Sequence, residues 1–249
     1  MRSESQIIIN YTRKKRMLTI DLHRSVLINI LREIYSDSHL RAILGFKGGT
    51  AAVLFYALPR FSVDLDFDLL VPERKDEVLV RLKSALPKFG TLVAATEKRY
   101  TLFFLINYKK GERNLKVEIS KRPSKSEFAP KNFLGISMLV MKDADMAAGK
   151  LAALLTRKRF ATRDMYDLWF FLKNNWPINE KLVHEKTGKV TTSALKEAQK
   201  RVETIKKTEL LSGLGELLGD KQKAWVREKL KDDLLFYLKL RLEMMGKTS

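Results

Sequence analysis

Three aspartates alternate with large apolar residues between Ser62 and Leu70. Asp64, Asp66 and Asp68 share one side of the run, and Val63, Leu65, Phe67 and Leu69 share the other. Such alternation predicts a strand, in which residues two apart point the same way at roughly 6.5–7 Å. Three carboxylates in that file repel one another. The arrangement is tolerable if a divalent cation sits among them or if basic side chains cover them. Mg²⁺, a hard cation held by a few carboxylates and substrate phosphates, is the natural guest. A merely solvated strand face is the plainer reading, but Asp is a poor strand former and three on one strand need a reason. Upstream, Gly48-Gly49-Thr50 falls between a short apolar strand, Ala42–Phe46, and an apolar helix from Ala51 to about Leu58. Glycines there let a phosphate approach the backbone, and a helix N-terminus offers free N–H groups and the positive end of its dipole. Alone, such a turn is weak; its place 14 residues before Asp64 gives it weight. Glu118 lies on the polar side of Leu115–Ser120. If that strand neighbours the aspartate strand, three carboxylates on two strands suit two-metal phosphoryl chemistry. Otherwise Glu118 is a surface residue paired to Lys116 or Lys121.

A second group of charged residues lies downstream. Lys150 interrupts an otherwise small and apolar helix, so it either snorkels to solvent or points at something anionic. Arg157, seven residues on, shares its face. Arg163-Asp164 and Asp167 follow one turn apart. Their plainer reading is an Asp-rich helix start with local ion pairs to Arg.

These groups need a frame to hold them. Helical spacing marks residues 20–35, 74–86, 143–157, 163–174, 193–207 and 221–244. Strands are expected at 42–46, 62–70, 100–108, 114–120 and 136–141, with 100–108 and 114–120 joined as a hairpin by Lys109-Lys110-Gly111-Glu112. In the last helix Val226, Leu230, Leu234, Tyr237 and Leu238 make one apolar stripe. Strands end near residue 141 and helices follow. The fold class is therefore α+β, with a mixed α/β domain over 1–141 and a helical domain over 142–249.

Composition narrows the partners. The chain has 249 residues, no Cys and three His (His23, His39, His184). That excludes disulfides, thiol nucleophiles and Cys-based zinc sites. No stretch reaches the roughly 18 apolar residues of a membrane span, and the N-terminus lacks the order of a signal peptide, so a cytoplasmic protein is expected. Net charge is +19, and residues 109–175 carry 15 basic against 7 acidic residues. A charge-rich thermophile surface would raise Glu with Lys; here the acids lag, which favours a polyanionic partner, nucleic acid above all.

Gly48-Gly49-Thr50, followed by Leu58-Pro59-Arg60-Phe61-Ser62-Val63-Asp64-Leu65-Asp66-Phe67, resembles the signature of DNA-polymerase-β-like nucleotidyltransferases, and within them the AbiEii/AbiGii abortive-infection toxin family. Lys116–Ser120 is similar to that family's third-carboxylate strand. Lys150–Leu154 and Arg163–Leu168 are similar to its Lys helix and Arg-Asp-x-x-Asp helix. The resemblance spans about residues 43–172 and leaves the last 75 or so unmatched. It implies a nucleotidyltransferase core over 1–141, a helical C-terminal domain completing the site, and transfer of a nucleoside monophosphate from a nucleoside triphosphate, GTP in some relatives, with Mg²⁺ or Mn²⁺. Asp64, Asp66 and Glu118 would ligate metal, with Glu118 orienting or deprotonating the acceptor hydroxyl. Gly48, Gly49, Thr50, Lys150 and Arg157 would hold the triphosphate. Lys150 and Asp167 would join the catalytic set, with Asp164 as the alternative to Asp167. Asp68 is surplus to the usual pair, hence supporting or merely solvated. The resemblance further implies an RNA acceptor such as a tRNA 3′ end and a separate antitoxin protein. A catalytically idle, basic nucleic-acid-binding module and nucleotidylation of a protein hydroxyl are the alternatives.

Overall fold

The computed structural model describes residues 4–246, with side chains from residue 20 onward. In chain order the elements are α1 (Glu4–Ser36), α2 (Leu40–Ile43), β1 (Leu44–Lys47), α3 (Gly48–Tyr56), β2 (Asp64–Leu69), α4 (Lys75–Ala85), β3 (Thr91–Lys98), β4 (Thr101–Asn107), β5 (Leu115–Ser120), β6 (Phe128–Phe133), β7 (Ile136–Met141), α5 (Asp143–Thr156), α6 (Thr162–Lys173), α7 (Glu180–Thr187), α8 (Thr191–Glu203), α9 (Asp220–Glu228) and α10 (Leu230–Gly246). The strands form one mixed sheet in the order β3-β4-β5-β2-β1-β7-β6. β2 runs antiparallel to β1 and parallel to β5, and β4–β5 is the expected antiparallel hairpin. β1 and β7 are parallel, in register at Phe46 and Val140. Strands followed by helices make this the α+β class that the sequence predicts.

The chain forms two compact units. The first holds residues 1–50, 63–123 and 130–140, and so most of the sheet. Its core is the apolar side of the central strands: Leu44 and Phe46, Leu65 and Phe67, Val117 and Ile119, Leu102 and Phe104, all buried. Leu27, Ile30, Leu31 and Ile34 of α1 recur at helical spacing and are buried in the same unit. Tyr35 donates its hydroxyl to the carbonyl of Leu44 at 3.0 Å and tilts against Phe67, with ring centroids 6.3 Å apart.

The second unit holds residues 51–62, 124–129 and 141–249. α5 and α6 are its buried centre: Leu151, Leu154, Leu168, Phe171 and Leu172 are hidden. The stripe expected on one terminal helix is real at Val226, Leu230, Leu234 and Leu238, but the helix breaks at Lys229 into α9 and α10. α7, absent from the sequence reading, is capped by the Asn179 side chain accepting from the amide of Leu182 and is stopped by Gly188 at φ +70°. Among the described residues no helix is long and apolar enough to cross a membrane.

Candidate active site

The acidic strand is β2, and its neighbours decide what the aspartates meet. Register across β2 and β5 sets Asp64 beside Lys116, Asp66 beside Glu118 and Asp68 beside Ser120. Across β1 and β2, Lys47 stands opposite Asp66 and Gly45 opposite Asp68. Paired residues project to the same side of a sheet. The face that carries Asp64, Asp66 and Asp68 therefore also carries Glu118, with Lys47 and Lys116 flanking. The condition set by the sequence, that the Glu118 strand adjoin the aspartate strand, is met.

The alternation alone suggests a wet face, but two of its aspartates are buried while Asp66 and Glu118 stay half-buried. Asp64 retains 9% of its exposure and Asp68 5%. Lysines relieve the repulsion. Lys116 Nζ lies 2.9 Å from Asp64 Oδ2, and Lys47 Nζ lies 2.5 Å from Asp68 Oδ1. Asp68 is thus neither solvated nor idle: it binds the lysine at the end of β1. Glu118 does not take Lys116 or Lys121; Lys116 is on Asp64, and Lys121 pairs with Glu97.

Gly48 and Thr50 fit this face for different reasons. Gly48 has φ +80°, and a Cβ built on it would fall 2.5 Å from Asp66 Oδ2. Only glycine combines that backbone with that contact. Thr50 is buried and donates its hydroxyl to the carbonyl of Asp64, tying the first turn of α3 to the start of β2. Gly49 lies between them in the same helical turn. The start of β2 is also held by His23, missed in the sequence. Its Nε2 lies 2.9 Å from the carbonyl of Val63, and its Nδ1 lies 2.8 Å from the Tyr108 hydroxyl. A carbonyl only accepts, so Nε2 carries the proton and Nδ1 accepts from Tyr108. Burial holds the His23 pKa below its usual value, which favours this neutral form.

Do these residues suit a divalent cation? Asp64 Oδ1 is buried with no hydrogen-bond partner, while Oδ2 of the same carboxylate has Lys116. An orphaned buried carboxylate oxygen is a donor of the kind that hard cations take. The donor set fits. Among the described residues, however, no three acids or imidazoles converge into a ready cage: the lysines draw two of the four carboxylates aside.

The second unit holds a cluster of its own. Arg60 makes a bidentate pair with Asp167, Nε to Oδ1 at 2.6 Å and Nη2 to Oδ2 at 2.7 Å. Lys150 Nζ bridges Asp167 Oδ2 at 2.8 Å and Asp164 Oδ1 at 2.7 Å. Arg157 Nε approaches Asp164 Oδ2 at 3.0 Å. Lys150 therefore points at something anionic, and both aspartates have cationic partners. Asp167 is fully buried, which alone would raise its pKa; the Arg60 and Lys150 charges outweigh burial and hold it at about 2. The cluster carries three cations against two carboxylates, a surplus that suits an anion. Arg60 stands 107 residues from Asp167, a separation that no spacing rule in the sequence reports.

Comparison with known proteins identifies the family and the fold. A family model described as the nucleotidyl transferase AbiEii toxin of type IV toxin–antitoxin systems matches residues 29–234. An uncharacterised protein of Aquifex aeolicus (strain VF5) is 30% identical over 152 residues, covering 59% of this chain and 68% of that one. A crystal structure of a candidate nucleotidyltransferase from H. pylori superposes with a TM-score of 0.61 at 26% identity, over 91% of this chain and 96% of that one. JHP933 from Helicobacter pylori gives 0.60 at 26% identity, over 92% and 95%.

Proposed function

The chain belongs to the AbiEii family of nucleotidyl transferase toxins, and from that premise we propose that it transfers a nucleoside monophosphate from a nucleoside triphosphate to a hydroxyl of an RNA acceptor, with Mg²⁺ or Mn²⁺ held by Asp64, Asp66 and Glu118. The register of Asp66 with Glu118 on parallel neighbouring strands is the observation that carries this reading. A bound divalent cation would supply Lewis acidity and neutralise charge on the phosphates. The remaining work falls to the chain. Gly48 gives up its side chain so that Asp66 can sit against the backbone at the start of α3. The positive end of the α3 dipole at the Gly48–Thr50 turn favours phosphate oxygens there. Thr50 spends its hydroxyl proton on β2 and fixes that turn in place. Lys116 neutralises Asp64, a carboxylate that would hold the cation. Glu118 accepts the proton of the attacking hydroxyl as its oxygen bonds to the α-phosphorus, and the α–β bridge breaks to release pyrophosphate. In the second unit, Lys150 and Arg157 are held by Asp164 and Asp167. Their surplus charge suits a phosphate taken in exchange for a carboxylate contact.

The net charge of +19 supports RNA as the acceptor over a neutral metabolite. Family membership supports a separate antitoxin as protein partner. The test is incubation of purified protein with each labelled triphosphate, Mg²⁺ and total RNA, followed by a denaturing gel. Label on an RNA band that depends on Asp66 is the expected result. Label on protein would make a protein hydroxyl the acceptor. No label with any triphosphate, from folded protein, would leave an idle nucleic-acid-binding module.

A further inference from the structure

The residues in register with Asp66 form one row across the sheet: Lys47 on β1, Asp66 on β2, Glu118 on β5, Phe103 on β4 and Thr96 on β3. The next row runs Gly45, Asp68, Ser120, Thr101 and Lys98. Strands stand about 4.8 Å apart, so Phe103 is the immediate neighbour of Glu118 on the side away from Asp66. The ammonium of Lys98 lies 3.8 Å from the centroid of the Phe103 ring. The β3–β4 turn continues this pattern. The guanidinium carbons of Arg99 and Arg122 lie 4.9 and 4.6 Å from the centroid of the Tyr100 ring. The amide of Lys121 donates to the Tyr100 carbonyl at 2.8 Å, fastening the turn to the end of β5. Tyr100, Arg99, Arg122 and Lys98 are exposed.

The ion pairing in this patch is uneven. Lys121 and Lys75 share Glu97. Among the described residues, no carboxylate pairs with Lys98, Arg99 or Arg122, whose partners are aromatic rings. Rings overlain by unneutralised cations suit a ligand that brings both flat rings and negative charge, since guanidinium planes as well as aromatic faces stack on bases. Unpaired nucleotides do so, since each base presents a face and each link a phosphate. A duplex hides its base faces, so the patch fits it less well.

We propose that Lys98, Arg99, Tyr100, Phe103 and Arg122 form the acceptor subsite and bind the unpaired end of an RNA strand. Phe103 carries the terminal nucleoside beside Glu118. Tyr100 with Arg99 and Arg122 stacks a preceding base and neutralises the phosphates. This assignment rests on the reading that RNA is the acceptor, and it names where on the first unit that RNA lies.

The test uses the full chain, the double variant Arg99→Gln/Arg122→Gln and the single variant Phe103→Leu. Binding of a labelled single-stranded RNA of about 12 nucleotides, within the site size of common single-strand binders, and of the same strand annealed into a duplex, is measured without triphosphate from about 50 to about 200 mM salt. Each phosphate contact contributes about 0.7 to the slope of log K against log salt. The double variant should therefore show a slope shallower by about 1.4, and lose about sevenfold less affinity over that fourfold range. Phe103→Leu should keep the slope and bind roughly tenfold more weakly. An unchanged thermal shift with Mg²⁺ and triphosphate shows that the variants fold. A double variant with wild-type slope and affinity, or a wild type that prefers the duplex or binds no single strand, overturns the proposal. The acceptor reading is judged apart, by transfer of label to the same RNA. Binding through this patch without transfer would sink that reading and leave the subsite standing. Equal transfer and equal binding by wild type and double variant would do the reverse.

Discussion

Gly48 presses a bare Cα against the carboxylate of Asp66: a Cβ there would sit 2.5 Å from Oδ2. The contact couples the turn at the start of α3 to the central acid of β2. Gly48→Ala adds a methyl at φ +80°, where a side chain costs about 1 kcal/mol before any clash. The methyl must also push Asp66 away. We expect a melting temperature lower by roughly 2–4 °C or more and a lost response to Mg²⁺ with triphosphate. A variant that keeps the full metal and nucleotide shift would show that Asp66 need not stand where Gly48 admits it.

Asp66→Asn keeps the shape and removes one charge from a crowded row. Transfer should fall by at least about a hundredfold, the scale on which removing a preorganised electrostatic group acts. The melting temperature without metal should stay level or rise, because mutual repulsion is relieved. Circular dichroism melts beside a transfer assay check this; a steep fall in melting temperature would assign Asp66 to the scaffold instead.

Lys116→Met removes the cation that occupies Asp64. Lys116 keeps 32% of its side-chain exposure but Asp64 only 12%, so stranding that carboxylate should cost about 1–3 kcal/mol without metal, between the surface and the buried case. The informative quantity is the response to metal. With its competitor gone, Asp64 should take Mn²⁺ more tightly, and the thermal shift with MnCl₂ alone should exceed that of the wild type. Equal shifts would mean that Lys116 does not compete for that carboxylate.

Asp167→Ala leaves Arg60 buried without its counter-charge and Lys150 with Asp164 alone. Breaking a buried pair on one side costs about 3–5 kcal/mol; Arg60→Met combined with Asp167→Leu should cost much less, since no charge is stranded. All three tryptophans, Trp169, Trp176 and Trp225, lie in the second unit, so urea unfolding followed by their fluorescence reads this unit alone. The pH dependence has a definite sign. Asp167 has a folded pKa of about 2 against a reference of 3.8. A depressed carboxylate contributes stability above its unfolded pKa and loses it as pH falls through the folded one. Unfolding by acid between about pH 4 and pH 2 should include this step, and Asp167→Asn should remove it.

Residues with strong alternation gave their structure away. Val63, Leu65, Phe67 and Leu69 against Asp64, Asp66 and Asp68 predicted β2, and Leu115–Ser120 predicted β5. β3 escaped because Thr91–Lys98 mixes Ala with exposed polar residues on an edge strand, where only one partner selects the sequence. β6 escaped because Pro130 reads as a strand breaker, a prohibition that an edge position lifts. At the site, residue types were legible and partners were not. Lys47, Lys116 and Arg60 gained meaning only from register and long-range pairing. The expectation of a wet acidic face failed at Asp64 and Asp68 for that reason: alternation states which side a residue takes and says nothing of what lies over it.

Residues 51–62 belong to a unit whose other members begin at residue 124. During synthesis Arg60 therefore leaves the ribosome long before Asp167 exists. At about 5–20 residues per second, the interval of 107 residues lasts roughly 5–20 s. Through that time Arg60 is a cation awaiting burial, and the second unit cannot close around it. A newly made chain is thus incomplete in one of its units until the segment 141–249 has been translated.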